Sequence, residues 1–279
     1  MLTNIGSDRV RSVRALSRRA VREREHLFLA EGPQVVGEAV AHRPDTVRDV
    51  YFEAQDDPRQ VSLLAAAEAA GLSVREVSRE VLVAMSDAVT PQGVLAVCRP
   101  VDVDLGAVLD ASPTLLVILT NVRDPGNAGT VIRGADAAGA DAVLLSDSSV
   151  DIYNPKVVRS TVGSLFHLPI VTGVPIAVLL DRVRAAGLAL LAADGSGDVI
   201  LGGPDNNPDR GPDKDFDLAR PHAWVMGNEA WGLDPAVRQA CDMVVQVPIY
   251  GKAESLNLAM AAILCLYQSA SVQKRPGSR

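Results

Sequence analysis

Apolar residues occur along this chain in short unbroken runs separated by stretches of helical period, the pattern of an α/β protein. Within residues 1–98 the spacing predicts a helical stretch over 10–29, helices over 34–41, 61–70 and 79–85, and strands over 47–52, 73–77 and 94–98. Residues 99–113 are weakly patterned, carry Pro towards both ends, and read as a linker. A buried strand over 114–120 opens a second domain, 114–279, with further strands over 142–145, 168–171, 188–193, 224–227 and 244–249. Helices are predicted over 128–138 and 159–163, from Pro175 onward, and over 255–268. Residues 194–221 are rich in Asp, Gly, Pro and Asn, a composition with little to bury, and read as a mobile surface loop.

Composition sharpens this outline. The 279 residues, 48% hydrophobic and 22% charged, suit one large globular domain or two ordinary ones, and with 4% aromatic residues the core has to be filled by Ala, Val and Leu. The opening MLTNIGSDRVRSV has no apolar signal-peptide stretch, and no run approaches the ~20 residues that span a bilayer, so no membrane partner and a cytoplasmic location are expected. Cys98, Cys241 and Cys265 lie far apart in or beside apolar sequence, without a CxxC or a His at metal-ligand spacing. They read as buried thiols of a reducing compartment, and no metal is expected.

The net charge of −7 argues against a polyanionic partner, but its distribution argues the other way. Residues 1–30 hold seven arginines, Arg9, Arg11, Arg14, Arg18, Arg19, Arg22 and Arg24, against the three acids Asp8, Glu23 and Glu25. From charge alone two readings stand: a phosphate-binding surface, or a solvated and salt-bridged helix face.

The polar chemistry is densest in residues 223–260, where two short strands each run into a polar loop. Gly227-Asn228-Glu229 and Gly232 follow the first, and Gly251 with Glu254-Ser255-Leu256-Asn257 follows the second. Loops leaving the carboxyl ends of strands form the crevice in which open α/β sheets bind ligands, so two in succession predict one site. Taken singly, the residues have blander readings. Val247 and Leu256 are ordinary core, Glu229 a helix-dipole charge, Ser255 and Asn257 caps, and Arg133 a surface residue on an Ala-rich helix.

Three blocks reverse that balance: NVRDPGNAGTVIRGADAAG at 121–139, VMGNEAWG at 225–232 and VPIYGKAESLNLAM at 247–260. With the connecting run from Tyr153 to Pro169, they resemble the motifs of the SpoU (TrmH) family of RNA 2'-O-ribose methyltransferases, over most of residues 114–270. Thr161 stands where that pattern often has Ser, and the stretch before the second block is longer than the pattern leads one to expect. The resemblance implies an α/β SPOUT domain with a mostly parallel sheet tied in a trefoil knot, S-adenosylmethionine as cofactor, and a homodimeric active site. Its cofactor contacts fall on Gly227, Val247 and Leu256, and its polar groups on Asn127, Arg133, Glu229, Ser255 and Asn257. Arg133 occupies the position usually assigned to activation of the 2'-hydroxyl. A guanidinium stays protonated far above neutral pH and is a poor base. The role that fits is a cation that binds phosphate and stabilises alkoxide, with Glu229, Ser255 and Asn257 in support.

The run from Arg18-Arg19 through Phe28-Leu29-Ala30-Glu31-Gly32, with TPQGVLAV at 90–97, resembles the L30e-like substrate-binding domain of ribosomal RNA members of that family. That likeness raises the phosphate-binding reading, with Arg18 and Arg19 holding RNA, and favours 23S ribosomal RNA over transfer RNA as partner. A transfer RNA enzyme and a non-catalytic RNA binder of the same fold stay open as alternatives. Gly126-Asn127-Ala128-Gly129 after a strand is not GxGxxG, which disfavours a nucleotide-binding oxidoreductase.

Overall fold

The structure, a computed structural model, describes residues 1–54, 57–202 and 217–274. In chain order its first elements are α1 (Asp8–Ala15), α2 (Arg19–Glu25), β1 (Phe28–Glu31), α3 (Pro33–His42), β2 (Val47–Phe52), α4 (Pro58–Ala69), β3 (Ser73–Glu76), α5 (Arg79–Met85) and β4 (Val94–Cys98). There follow α6 (Leu105–Asp110), β5 (Leu115–Leu119), α7 (Pro125–Ala138), β6 (Ala142–Ser146), α8 (Pro155–Thr161), β7 (Ile170–Val174), α9 (Ile176–Ala185) and β8 (Ala189–Ala193). The last are β9 (Val199–Ile200), β10 (His222–Met226), α10 (Pro235–Gln239), β11 (Met243–Gln246) and α11 (Leu258–Gln273). Packing divides the chain into two units, Met1–Val101 with Asp151–His167, and Asp102–Val150 with Leu168–Arg279.

The first unit holds a four-stranded sheet in the order β1-β4-β2-β3, antiparallel except for the β2/β3 pair. Leu29, Tyr51, Leu82, Met85 and Leu95 form the heart of its core, and α1 covers them with Val10 and Val13. The helical stretch expected over 10–29 is two helices and a strand instead. His26 takes the left-handed conformation (φ 51°) and ends α2, and Phe28–Glu31, buried at every position, pairs with β4. Four consecutive buried residues show neither strand nor helix period, which is why sequence spacing misreads them.

The second unit is a seven-stranded sheet in the order β7-β6-β5-β10-β8-β11-β9, parallel at every pairing. The inner strands β5, β6 and β10 are buried along their whole length, as the unbroken apolar runs of the sequence require of a sheet covered on both faces. Trp224 at its centre is fully buried, and its Nε1 donates to the Ser269 hydroxyl at 2.9 Å, which satisfies the one polar atom of the ring. The stretch read as linker contains α6, capped by the Asp104 carboxylate accepting from the Gly106 amide. The closing helix begins at Leu258, later than expected, because the Asn257 side chain accepts from the amides of Ala259 and Met260 and so fixes the first turn. Of the expected mobile loop over 194–221, residues 203–216 lie outside the described residues.

Among the described residues no helix is long and apolar enough to cross a membrane. All three cysteines are free. Burial pushes the Cys98 and Cys265 thiols up to about 12 and Cys241 up to about 11, so none carries thiolate chemistry at neutral pH.

Candidate active site

Because the large sheet is parallel throughout, the loops after β5, β8, β10 and β11 all leave its carboxyl edge. The loop after β5 runs into α7, whose start is fixed by Asp124: its carboxylate accepts from the Asn127 amide at 2.8 Å, and Pro125 occupies the first turn. The loop after β10 closes on itself, with the amides of Asn228 and Gly232 each donating to the other's carbonyl at 2.8 and 2.9 Å. Gly227 allows this closure. A β-carbon there would lie 2.4 Å from the Gly232 carbonyl carbon and 2.5 Å from the Leu233 nitrogen, backbone atoms that cannot yield.

Side chains bind the loops together. Asn228, buried, donates from Nδ2 to the Asn121 carbonyl at 2.7 Å and accepts at Oδ1 from the Ala230 amide at 2.8 Å. The Glu229 carboxylate accepts from the amides of Arg123 (3.3 Å) and Asp124 (3.1 Å) and from Asn127 Nδ2 (3.2 Å). Asn127 Oδ1 in turn accepts from Asn257 Nδ2 at 2.9 Å. One chain of hydrogen bonds thus runs Glu229–Asn127–Asn257 and joins the three loops whose blocks carry the sequence likeness. Glu229 does sit at a helix start, but it is the start of α7, more than a hundred residues earlier in the chain, rather than of a helix that it opens itself.

Beside this junction lies a cavity of about 330 Å³. Gly227, Val247 and Leu256, the three expected cofactor contacts, line it together with Glu229 and Ser255. Val247 and Leu256 are half-buried, as cavity wall is and core is not. Ser255 is exposed, while Asn257 does cap α11, so its blander reading and its place in the junction both hold. Sequence reasoning missed Asp194 and Gly195, which line the same cavity from the loop after β8. An Asp-Gly pair directly after an apolar strand was the available signal. It also missed Arg123, whose guanidinium carbon lies 5.7 Å from the centre of the exposed Trp231 ring.

Arg133 does not line the cavity. It projects from the exposed face of α7, without an ion pair among the described residues, about 9 Å along the helix from Asn127 at 1.5 Å per residue. Arg18 and Arg19 belong to the other unit and are both exposed. Arg19 Nε donates to Glu23 at 2.7 Å, whereas Arg18 precedes α2 with no ion pair among the described residues. Arg22 plays a structural part instead. Its buried guanidinium donates to the carbonyls of Leu16 and Ser17 at 2.9 and 2.7 Å, and pairs with Asp151 at 2.5 Å. The basic start therefore contains both a structural cation and free surface cations.

Residues 114–267 match the model of the SpoU rRNA Methylase family, and residues 7–96 that of the MRM3-like substrate binding domain. The chain is 33% identical, over 94% of its length and 95% of the relative's, to the 23S rRNA (guanosine(2553)-2'-O)-methyltransferase RlmP of Bacillus subtilis. Among solved structures, the AdoMet-bound rRNA methyltransferase from Sinorhizobium meliloti superposes with a TM-score of 0.79 at 28% identity, covering 97% of both chains. The SpoU methyltransferase AviRb from Streptomyces viridochromogenes, in complex with AdoMet, gives 0.79 at 31% identity over 95% of this chain and 98% of its own. On the family model, on this likeness and on the three joined loops, the chain belongs to the SpoU rRNA methylase family.

Proposed function

We propose that the protein transfers a methyl group from S-adenosylmethionine to a ribose 2'-hydroxyl of RNA, with 23S ribosomal RNA as its substrate. The observation that carries this reading is the Glu229–Asn127–Asn257 junction standing beside the cavity lined by Gly227, Val247 and Leu256.

The cavity suits the cofactor chemically. Its volume falls in the usual range for small-molecule sites, about 300–1,000 Å³, and Met226, Val247, Ile249, Leu256 and Leu258 offer apolar wall to an adenine ring. Asp194, Glu229 and Glu254 put carboxylates around it, which favours a sulfonium cation. Bound S-adenosylmethionine supplies an electrophilic methyl group for in-line displacement by the ribose oxygen. The chain's own part is alignment and charge. Glu229 and Asn257 hold Asn127 at the mouth of the site, where its amide orients the ribose, and Ser255 borders the cavity beside them. Arg133 meets a phosphate of the RNA and stabilises the developing alkoxide. Water or a phosphate oxygen takes the proton, because a guanidinium is too weak a base to do so.

The exposed Trp231 ring beneath Arg123 adds a flat aromatic and cationic surface of the kind on which RNA bases stack. Residues 1–98 act as the substrate-binding domain and 99–113 as the linker to the catalytic domain, 114–279, with Arg18 and Arg19 contributing phosphate contacts. The active form is a homodimer of knotted catalytic domains in the cytoplasm. Met260 (61% exposed), Leu264 (48%) and Tyr267 (50%) form one apolar stripe at helical spacing on α11, a surface that a second copy would cover.

The test is Arg133→Ala. Single-turnover methyl transfer at saturating cofactor is lost, while calorimetric affinity for S-adenosylmethionine stays within about twofold. A normal saturated rate with weakened cofactor binding contradicts the assignment.

A further inference from the structure

Two of the four histidines in the chain, His42 and His167, face each other across Glu38 in the first unit. Glu38 and His42 stand four residues apart on α3 and so share a face, while His167 follows the 3₁₀ turn Ser164–Phe166, its amide bonded to the Ser164 carbonyl. Both imidazoles address the same oxygen: Glu38 Oε2 lies 3.4 Å from His42 Nε2 and 3.1 Å from His167 Nε2. The ring centres are 4.4 Å apart at 64°, and the three potential ligand atoms all lie within 4.8 Å of one another.

These separations have a specific meaning for a metal ion. Ligand atoms about 2.05 Å from a tetrahedral ion are spaced about 3.3 Å from each other, and the two nitrogen–oxygen distances bracket that value. The carboxylate is also oriented from outside, as ligating carboxylates are. Gln34 Nε2 donates to Glu38 Oε1 at 2.6 Å, which leaves Oε2 to the imidazoles. The stem of Glu38 lies against the bare backbone of Gly163, which has φ +104°. A β-carbon there would fall 2.3 Å from Glu38 Cγ, so the absence of a side chain at 163 gives this carboxylate its position.

We propose that Glu38, His42 and His167 form a binding site for a divalent transition-metal ion of the zinc class, with water completing the coordination. Two nitrogen donors and one oxygen suit Zn²⁺, Co²⁺ or Ni²⁺ and do not suit Mg²⁺ or Ca²⁺, which take oxygen ligands. The bound ion clips α3 to the turn that precedes β7. The site departs from the expectation of no metal, because only the fold brings His167 from a distant part of the chain to the pair that Glu38 and His42 form on α3. It does not depend on the methyl-transfer reading.

The test is titration of Zn²⁺ into the chelator-treated full chain by calorimetry, with Co²⁺ absorption as a second readout. One ion per chain, an intense visible Co²⁺ spectrum and a Zn²⁺-dependent rise in the melting midpoint are expected. His42→Ala and His167→Ala should each weaken Zn²⁺ binding at least about tenfold, whereas His26→Ala, which removes an exposed histidine elsewhere, leaves it unchanged. Glu38→Gln, which keeps the side chain's size, should weaken Zn²⁺ binding without lowering the metal-free melting midpoint. Unaltered affinity in the His42 and His167 variants, or displacement of Zn²⁺ by equimolar Mg²⁺, overturns the proposal.

Discussion

Asn127 is the middle link of the junction, so its bond to Asn257 measures whether the three loops act as one device. Asn257→Ser removes the amide that donates to Asn127 Oδ1 at 2.9 Å but keeps a side-chain oxygen to cap α11. Serine caps about as well as asparagine, so stability should change by less than about 0.5 kcal/mol. The lost hydrogen bond is near the surface and contributes about 1 kcal/mol to holding Asn127, equivalent to a roughly fivefold fall in kcat/KM. Asn127→Ala cuts this bond and also the one to Glu229 at 3.2 Å, at a cost of about 2 kcal/mol, or roughly thirtyfold. Independent effects would multiply to about 150-fold in the double variant, whereas a shared bond leaves it near thirtyfold. The assay is initial-rate transfer of labelled methyl from S-adenosylmethionine to 23S rRNA at subsaturating RNA, with denaturant unfolding as control. A double variant at the full product, or single variants at the wild-type rate, refutes the coupling.

Gly227→Ala pushes a methyl group into the Gly232–Leu233 backbone, and should cost about 1–3 kcal/mol of stability along with most cofactor affinity; an alanine variant with normal unfolding and calorimetry would dispose of the closed-loop account. Burial drives His222 down to about 4 from the ordinary 6.5, while its Nδ1 donates to the Arg220 carbonyl at 2.8 Å and its Nε2 meets the Ser269 hydroxyl at 2.7 Å. The unfolded chain then binds the extra proton between those values. The contribution of His222 is accordingly complete above about pH 6.5 and lost as the pH falls towards 4, by up to roughly 3 kcal/mol. Melting midpoints between pH 4 and 7 should follow that slope in the wild type and flatten in His222→Gln, and equal slopes would show that another group titrates. Arg18→Ala should reduce the slope of log binding constant against log salt for 23S rRNA by about 0.7–0.9, the value of one phosphate contact; an unchanged slope removes Arg18 from the interface.

The sheet strands were the most legible part of the sequence. Residues 94–98 are a strand at those very positions, since a continuous apolar run flanked by polar turns leaves little freedom of assignment, and 47–52 are a strand as expected although Arg48 and Asp49 interrupt its apolar residues. Legibility failed where tertiary context decides. Phe28–Glu31 reads as a continuation of helix because the left-handed residue that stops α2 is His26 and not a glycine. At the site, the blocks around Asn127, Glu229 and Asn257 could be found one by one. That the Glu229 carboxylate meets the first turn of α7, or that Asp194 joins the cavity, depends on strand order in the sheet, which local spacing does not encode. His42 and His167 lie in segments with no common motif, and only the folded chain brings them to one carboxylate.

The position of the transferred methyl group distinguishes ribose methylation from methylation of a base. Purified protein is incubated with methyl-labelled S-adenosylmethionine and separately with unmodified 23S rRNA and transfer RNA, and the products are hydrolysed in alkali. Label confined to 23S rRNA and recovered in alkali-resistant dinucleotides, where a 2'-O-methyl group blocks cleavage, is the predicted result. Label on a base, or no transfer to RNA by a protein that binds the cofactor, would contradict the account.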